Sequence, residues 1–85
     1  MSHTYPEFLE RAAREALAEA KRAGELHHPL RSAHEGWAVL REEVDELWDE
    51  VKNRRQVTER MREEAVQVAA VAIRFLADIC YPKGV

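Results

Sequence analysis

Residues 41 to 51, REEVDELWDEV, carry six carboxylates against one cation, Arg41. Acids at this density do one of two things. They solvate the outer face of an amphipathic helix, or they supply oxygen ligands to a hard divalent cation such as Mg²⁺ or Mn²⁺. Glu43 and Glu46 are three residues apart, so on a helix their side chains converge. Glu64 and Gln67 repeat that spacing further along the chain. Carboxylates held close together repel, and partial burial raises the cost. A divalent ion removes both penalties, bridges to phosphate oxygens and activates water.

Such side chains meet only if two helices present them to each other. From the Ser32 cap to about Lys52, Trp37, Leu40, Val44, Leu47, Trp48 and Val51 recur at helical spacing. Ser32 and Glu35 have capping-box spacing at the start. Thr58 is a suitable N-cap for a further helix that runs to about Cys80, with Pro82 just beyond it. Its main stripe is Met61, Ala65, Val68, Val71, Ala72, Phe75 and Ile79, and Val66, Ala70, Ile73 and Ala77 form a second apolar face.

Ahead of both lies a helix from about Pro6 to Ala23, opened by Thr4 and Glu7 at capping-box spacing with Pro6 in its first turn. Its stripe, Leu9, Ala12, Ala13, Ala16, Leu17, Ala20 and Ala23, is alanine-rich and permits close approach. Gly24 is the expected C-cap. Glu7 with Arg11 and Glu10 with Arg14 have i,i+4 spacing for outer-face pairs. The breaks are ELHHPLRS, where Pro29 bars a simple helical continuation, and NRRQV.

The predicted fold class is all-α: a single domain over residues 1–85, a three-helix chain whose second and third helices form a long antiparallel hairpin. At 100° per residue, Glu43 and Glu50 flank the apolar stripe of the second helix, Glu46 lies beside them, and Glu42 and Asp49 fall further round. Glu64 and Gln67 edge the main stripe of the third. A third helix apolar on two sides needs cover on two sides, which three helices do not easily provide. A homodimer or homotetramer forming four-helix bundles across subunits is therefore expected.

Composition narrows the function. A formal charge of −3, with no basic arm and no RNA-binding aromatic motif, argues against a nucleic-acid partner. No stretch is long enough to span a bilayer, and no apolar signal core opens the chain. Cys80 is the lone cysteine, which excludes an intrachain disulfide and fits a reducing, cytoplasmic setting.

EEVDE (42–46) followed by EAVQ (64–67) resembles the double motif of the MazG-like nucleotide pyrophosphohydrolases, an all-α family that carries EExxE, a variable spacer and ExxD. Glu42, Glu43 and Glu46 match the first element and Glu64 the Glu of the second. The resemblance covers most of the chain from about Ser32 to Ile79. It implies Mg²⁺-dependent, or Mn²⁺-dependent, hydrolysis of a nucleoside triphosphate between the α and β phosphates. Glu43, Glu46, Glu64 and Gln67 then hold the metal, and Glu42 orients or deprotonates the attacking water. Gln67 departs from the motif Asp. Its amide oxygen can ligate but brings no charge, so affinity falls or another acid assists, and Asp78, about three turns on, is too distant.

Lys52, Arg54, Arg55, Arg60 and Arg62 follow the acidic helix. Lys52 and Arg55 are candidates to hold the β and γ phosphates, against a plain reading as helix-end charges, with Glu50 and Arg54 an i,i+4 pair. His34, off the stripe at the start of the second helix, is placed to touch a substrate. Trp37 and Trp48 lie on the stripe, where core packing competes with base stacking. His27 and His28 lack the His-x-x-x-His spacing of a helical zinc site. The competing functional class is a non-catalytic helical oligomer that binds nucleotide or a protein partner, and Gln67 is the feature that favours it.

Overall fold

Three hydroxyl side chains start three helices. In the computed structural model, which describes residues 2–81, Thr4 Oγ1 accepts from the Glu7 N–H at 3.3 Å, Ser32 Oγ from Glu35 at 3.0 Å and Thr58 Oγ1 from Met61 at 3.0 Å. Each bond satisfies one of the donors that a helix N-terminus leaves free. The helices are α1 (Tyr5–Leu26), α2 (Ala33–Lys52) and α3 (Glu59–Phe75), followed by a π-helical turn, Leu76–Cys80. Among the described residues there is no strand, and no helix is long and apolar enough to cross a membrane. The stop expected at Pro82 lies outside the described residues.

Two helix ends differ from the sequence expectation. Gly24 does not cap α1. The helix runs through it to Leu26, and His27 caps it by donating to the Ala23 carbonyl at 3.0 Å. The stop comes from His28-Pro29 instead, because the residue before proline is pushed out of the helical region. At the other end, the α-helix expected to reach Cys80 closes at Phe75. Its last turn is wider, with Tyr81 N donating to Leu76 O at 3.0 Å. That turn carries Asp78, whose carboxylate accepts from the buried Leu30 N–H at 2.9 Å, and Arg74 donates to the His28 carbonyl at 3.2 Å. The first break is thereby tied to the end of α3.

α3 is the middle element, and α1 and α2 pack on it rather than on each other. Each of the two expected apolar sides of α3 takes a helix, the Val66–Ala70 side α1 and the Glu64–Val71 side α2, yet Ala65 and Ala72 of the main stripe and Ala77 of the second face stay exposed. The contacts are built from small residues: Ala16, Ala20, Ala70 and Val71 are buried. Gly36 sits so close to α3 that a Cβ there would lie 2.6 Å from a Phe75 ring carbon.

A further correction concerns the tryptophans. Trp37 and Trp48, expected in the core, are 55% and 57% exposed, and Val44 and Val51 of the same stripe are also exposed. The stripe is wider than one helix contact covers, and α2 turns its Gly36–Glu43 side to α3. Among the expected outer pairs, Glu50–Arg54 forms at 4.0 Å. Glu7 pairs with His3 and Arg11 with Glu15 instead, and no Glu10–Arg14 pair forms among the described residues.

Candidate metal centre

α2 presents Glu43 and Glu46 from adjacent turns, and α3 presents Glu64 from its first turns. One carboxylate oxygen from each lies within 4.8 Å of the others. The three differ in setting: Glu46 is exposed, Glu43 half-buried and Glu64 only 7% exposed. Glu64 Oε1 lies 3.4 Å from Arg60. Its Oε2 is buried with no hydrogen-bond partner, as is Oε1 of Glu50, one turn beyond Glu46 on α2. A buried carboxylate oxygen without a donor is costly, and here it lies in a cluster of like charges.

Protonation reflects that cost. Glu43 is pushed up to about 7, first by burial, then by the charges of Glu46 and Glu64, with smaller contributions from hydrogen bonding to Glu46 and from the charge of Glu42. Glu64 is also raised, chiefly by burial and by contact with Glu46, while Arg60 opposes the shift. All members of the cluster offer oxygen, the donor set of a hard divalent cation.

The remaining sequence candidates are dispersed. Glu42 is exposed and near enough for its charge to act on Glu43. Gln67 is half-buried, and its amide nitrogen donates to Glu19 Oε2 of α1 at 2.9 Å. Glu19 in turn takes two hydrogen bonds from Arg22, at 2.6 and 2.8 Å, which hold its carboxyl below the usual range. His34 is exposed in the first turn of α2, Arg55 is exposed in the second break, and Lys52 pairs with Asp49 at 3.1 Å. The structure does not bring these three into the cleft that Glu43 lines.

A cleft of about 330 Å³ lies between α1, α2 and α3, with Glu43 and Gln67 in its wall. The cations lining it are Arg22 and Arg74 rather than Lys52 and Arg55, and His27 and His28 stand at the same wall. Sequence reasoning missed Glu19, Arg22 and Arg74 as neighbours of the site. The i,i+3 spacing of Glu19 and Arg22 was visible, but nothing in the alanine stripe fixes how α1 is rotated against α3.

Comparison with protein-family models, with curated proteins and with solved structures gives no match.

Proposed function

We propose that this chain is a divalent-cation-dependent nucleotide pyrophosphohydrolase of the MazG-like kind, acting on the α–β anhydride of a nucleoside triphosphate. The observation that carries the reading is the convergence of Glu43, Glu46 and Glu64 within 4.8 Å, with one Glu64 oxygen buried and unpartnered. Oxygen donors of this kind, repelling one another around an orphaned atom, fit Mg²⁺ or Mn²⁺. Bound there, the ion supplies positive charge to phosphate oxygens and to a water. Glu42, exposed in the same turn as Glu43, is the group to take the proton from the attacking water. The products are the monophosphate and pyrophosphate.

In this reading α2 and α3 form an antiparallel hairpin, supported by Gly36 against Phe75 at one end and Glu46 near Glu64 towards the other. The chain is one domain that works as a homodimer or homotetramer with four-helix bundles across subunits. The nucleotide enters the cleft beside Glu43, whose volume is at the low end for small-molecule sites. A cytoplasmic setting suits the lone free thiol of Cys80.

A second reading, nucleotide binding without turnover, is favoured by Gln67, whose amide is engaged by Glu19 and adds no charge to the cluster. Incubation of pure protein with mixed deoxynucleoside triphosphates and Mg²⁺ separates the two. Pyrophosphate release that disappears in Glu46→Gln supports hydrolysis. Calorimetric nucleotide binding without release assigns a sensor, and the absence of both signals rules out both readings and leaves a structural role.

A further inference from the structure

Among the described residues, two buried side-chain polar atoms lack a hydrogen-bond partner, and both are carboxylate oxygens: Oε2 of Glu64 and Oε1 of Glu50. Glu64 belongs to the acid cluster. Glu50 does not, and the double motif gives it no role. It stands one turn beyond Glu46 on α2, about 20° round the helix from Glu43 and about 40° from Glu46. It therefore shares the side of α2 that meets α3, and its side chain is only 21% exposed. Its charge reaches Glu64, where it adds to that of Glu46. Its ion-pair partner, Arg54, stands 4.0 Å from the orphaned oxygen, too far for a hydrogen bond.

Gln67 shows the reverse. The motif assigns residue 67 to the metal, yet the Gln67 amide nitrogen is committed to Glu19 of α1 at 2.9 Å, and the side chain brings no charge. α3 thus offers the cluster one carboxylate where the motif has two. α2 carries one acid more on its facing side than the motif requires.

An ionised carboxylate only accepts hydrogen bonds, so Glu50 Oε1 needs a donor, and leaving it buried without one is costly. A plain water donates to it but leaves the acids crowded. A hydrated divalent cation meets both needs. Mg²⁺ keeps several of its waters when carboxylates bind it, and hydrogen bonds with a charged partner are the stronger ones. Glu50 is not among the three acids whose oxygens converge within 4.8 Å, which suits contact through a water rather than direct ligation.

We infer that Glu50 stands in for the acid missing at residue 67: it holds the cation of Glu43, Glu46 and Glu64 through one of the ion's own waters. It is a positioning residue that supplies the negative charge Gln67 does not bring. The inference rests on the cation site of the proposed function and not on its hydrolytic chemistry.

Calorimetric titration with Mn²⁺ at pH 8 is the test, on the native chain and on Glu50→Gln, Glu50→Asp, Asp49→Asn and Glu46→Gln, with the metal-free thermal midpoint of each. Glu50→Gln is expected to weaken Mn²⁺ binding by about 10-fold to 100-fold, the range for groups that hold a metal's ligands in place. Its metal-free midpoint stays at or above the native one, because a like charge has left the crowded side. A merely structural role moves the midpoint down and leaves the affinity alone. Glu50→Asp keeps the charge but withdraws the oxygen by one methylene, and it also weakens binding. That variant decides if Glu50→Gln does not fold. Asp49→Asn removes an exposed acid paired with Lys52 and leaves the affinity near the native value. Native-strength binding in Glu50→Gln or in Glu50→Asp overturns the inference, and so does an equal loss in Asp49→Asn. If Glu46→Gln abolishes binding while Glu50→Gln retains it, the inference falls and the cation site stands. A native chain that takes up no Mn²⁺ removes the site and the inference together. Binding that depends on Glu50 without pyrophosphate release keeps the inference and removes the hydrolase.

Discussion

One side of α2 carries Glu46 and the half-buried Glu43, and the other carries Trp37, Val44, Trp48 and Val51. Both sides are costly to the isolated chain, for opposite reasons. Two unit charges 4.8 Å apart repel by about 3 kcal/mol at an effective dielectric of about 20, and by less where Glu46 meets solvent. Each large apolar side chain left in water forgoes about 1.5 to 3 kcal/mol. The penalties are of similar size, so neither side is incidental decoration of the fold. The acidic side is relieved by positive charge and the apolar side by area. One helix thus presents two surfaces with unlike chemical needs, kept apart by the rotation of α2 on α3.

The largest expected break in this comparison is Glu64→Gln. It removes a buried charge from the acidic side and leaves the apolar side untouched. Saturating Mg²⁺ is expected to raise the thermal midpoint of the native chain by several degrees, and that rise disappears in the variant, with cation affinity lower by about 100-fold. The cation-free variant melts at or above the native midpoint at pH 8, since repulsion has been relieved. Differential scanning fluorimetry with and without Mg²⁺ checks both statements.

Gly36→Ala strikes the seam that both sides share. The added methyl meets the Phe75 ring at 2.6 and 2.8 Å, so the ring must move. Overpacking of this kind costs about 1 to 3 kcal/mol, or about 5 to 15 °C in midpoint. Any loosening also spreads Glu43 from Glu64, so cation affinity falls along with stability. A variant that melts lower yet binds Mg²⁺ as before would show that the acid cluster does not depend on the Gly36–Phe75 seam.

Gln67→Asp sharpens the acidic side. The aspartate loses the hydrogen bond to Glu19 and faces that carboxylate instead. The cation-free protein is expected to be less stable by about 1 to 2 kcal/mol, and Mg²⁺ to recover the loss. Chemical denaturation at two Mg²⁺ concentrations measures it. A further effect is that of pH. Between 4.5 and about 7 the folded chain holds a proton on Glu43 that the unfolded chain has released. The cation-free protein therefore loses stability as pH rises through that window. Cation binding displaces the proton, so affinity rises across the same window and levels off above it. Titrations in buffers of different ionisation enthalpy count the protons released.

Much of this was legible in the sequence because it is local. Thr4, Ser32 and Thr58 mark helix starts through side-chain chemistry that needs no tertiary context, and the i,i+3 spacing of Glu43 and Glu46 puts them on one side of a helix wherever it packs. Their meeting with Glu64 followed from facing two stripes. What failed depends on rotation. The stripe of α2 contains both the part that packs and the part that does not, and periodicity weights Trp48 and Leu47 alike. Gly24 reads as a stop, yet glycine is tolerated inside a helix when nothing nearby ends it. The Gln67–Glu19 contact joins α1 to α3 across forty-eight positions, a distance that spacing rules do not reach.

Calorimetric titration of the native chain with Mn²⁺ at pH 8, repeated on Glu43→Gln, Glu46→Gln and Glu64→Gln, bears most directly on the acidic cluster. The expected result is saturable binding of at least one ion per chain, weakened by each substitution and most by Glu64→Gln. Absence of saturable binding, or binding that all three variants retain unchanged, contradicts a shared cation at these carboxylates.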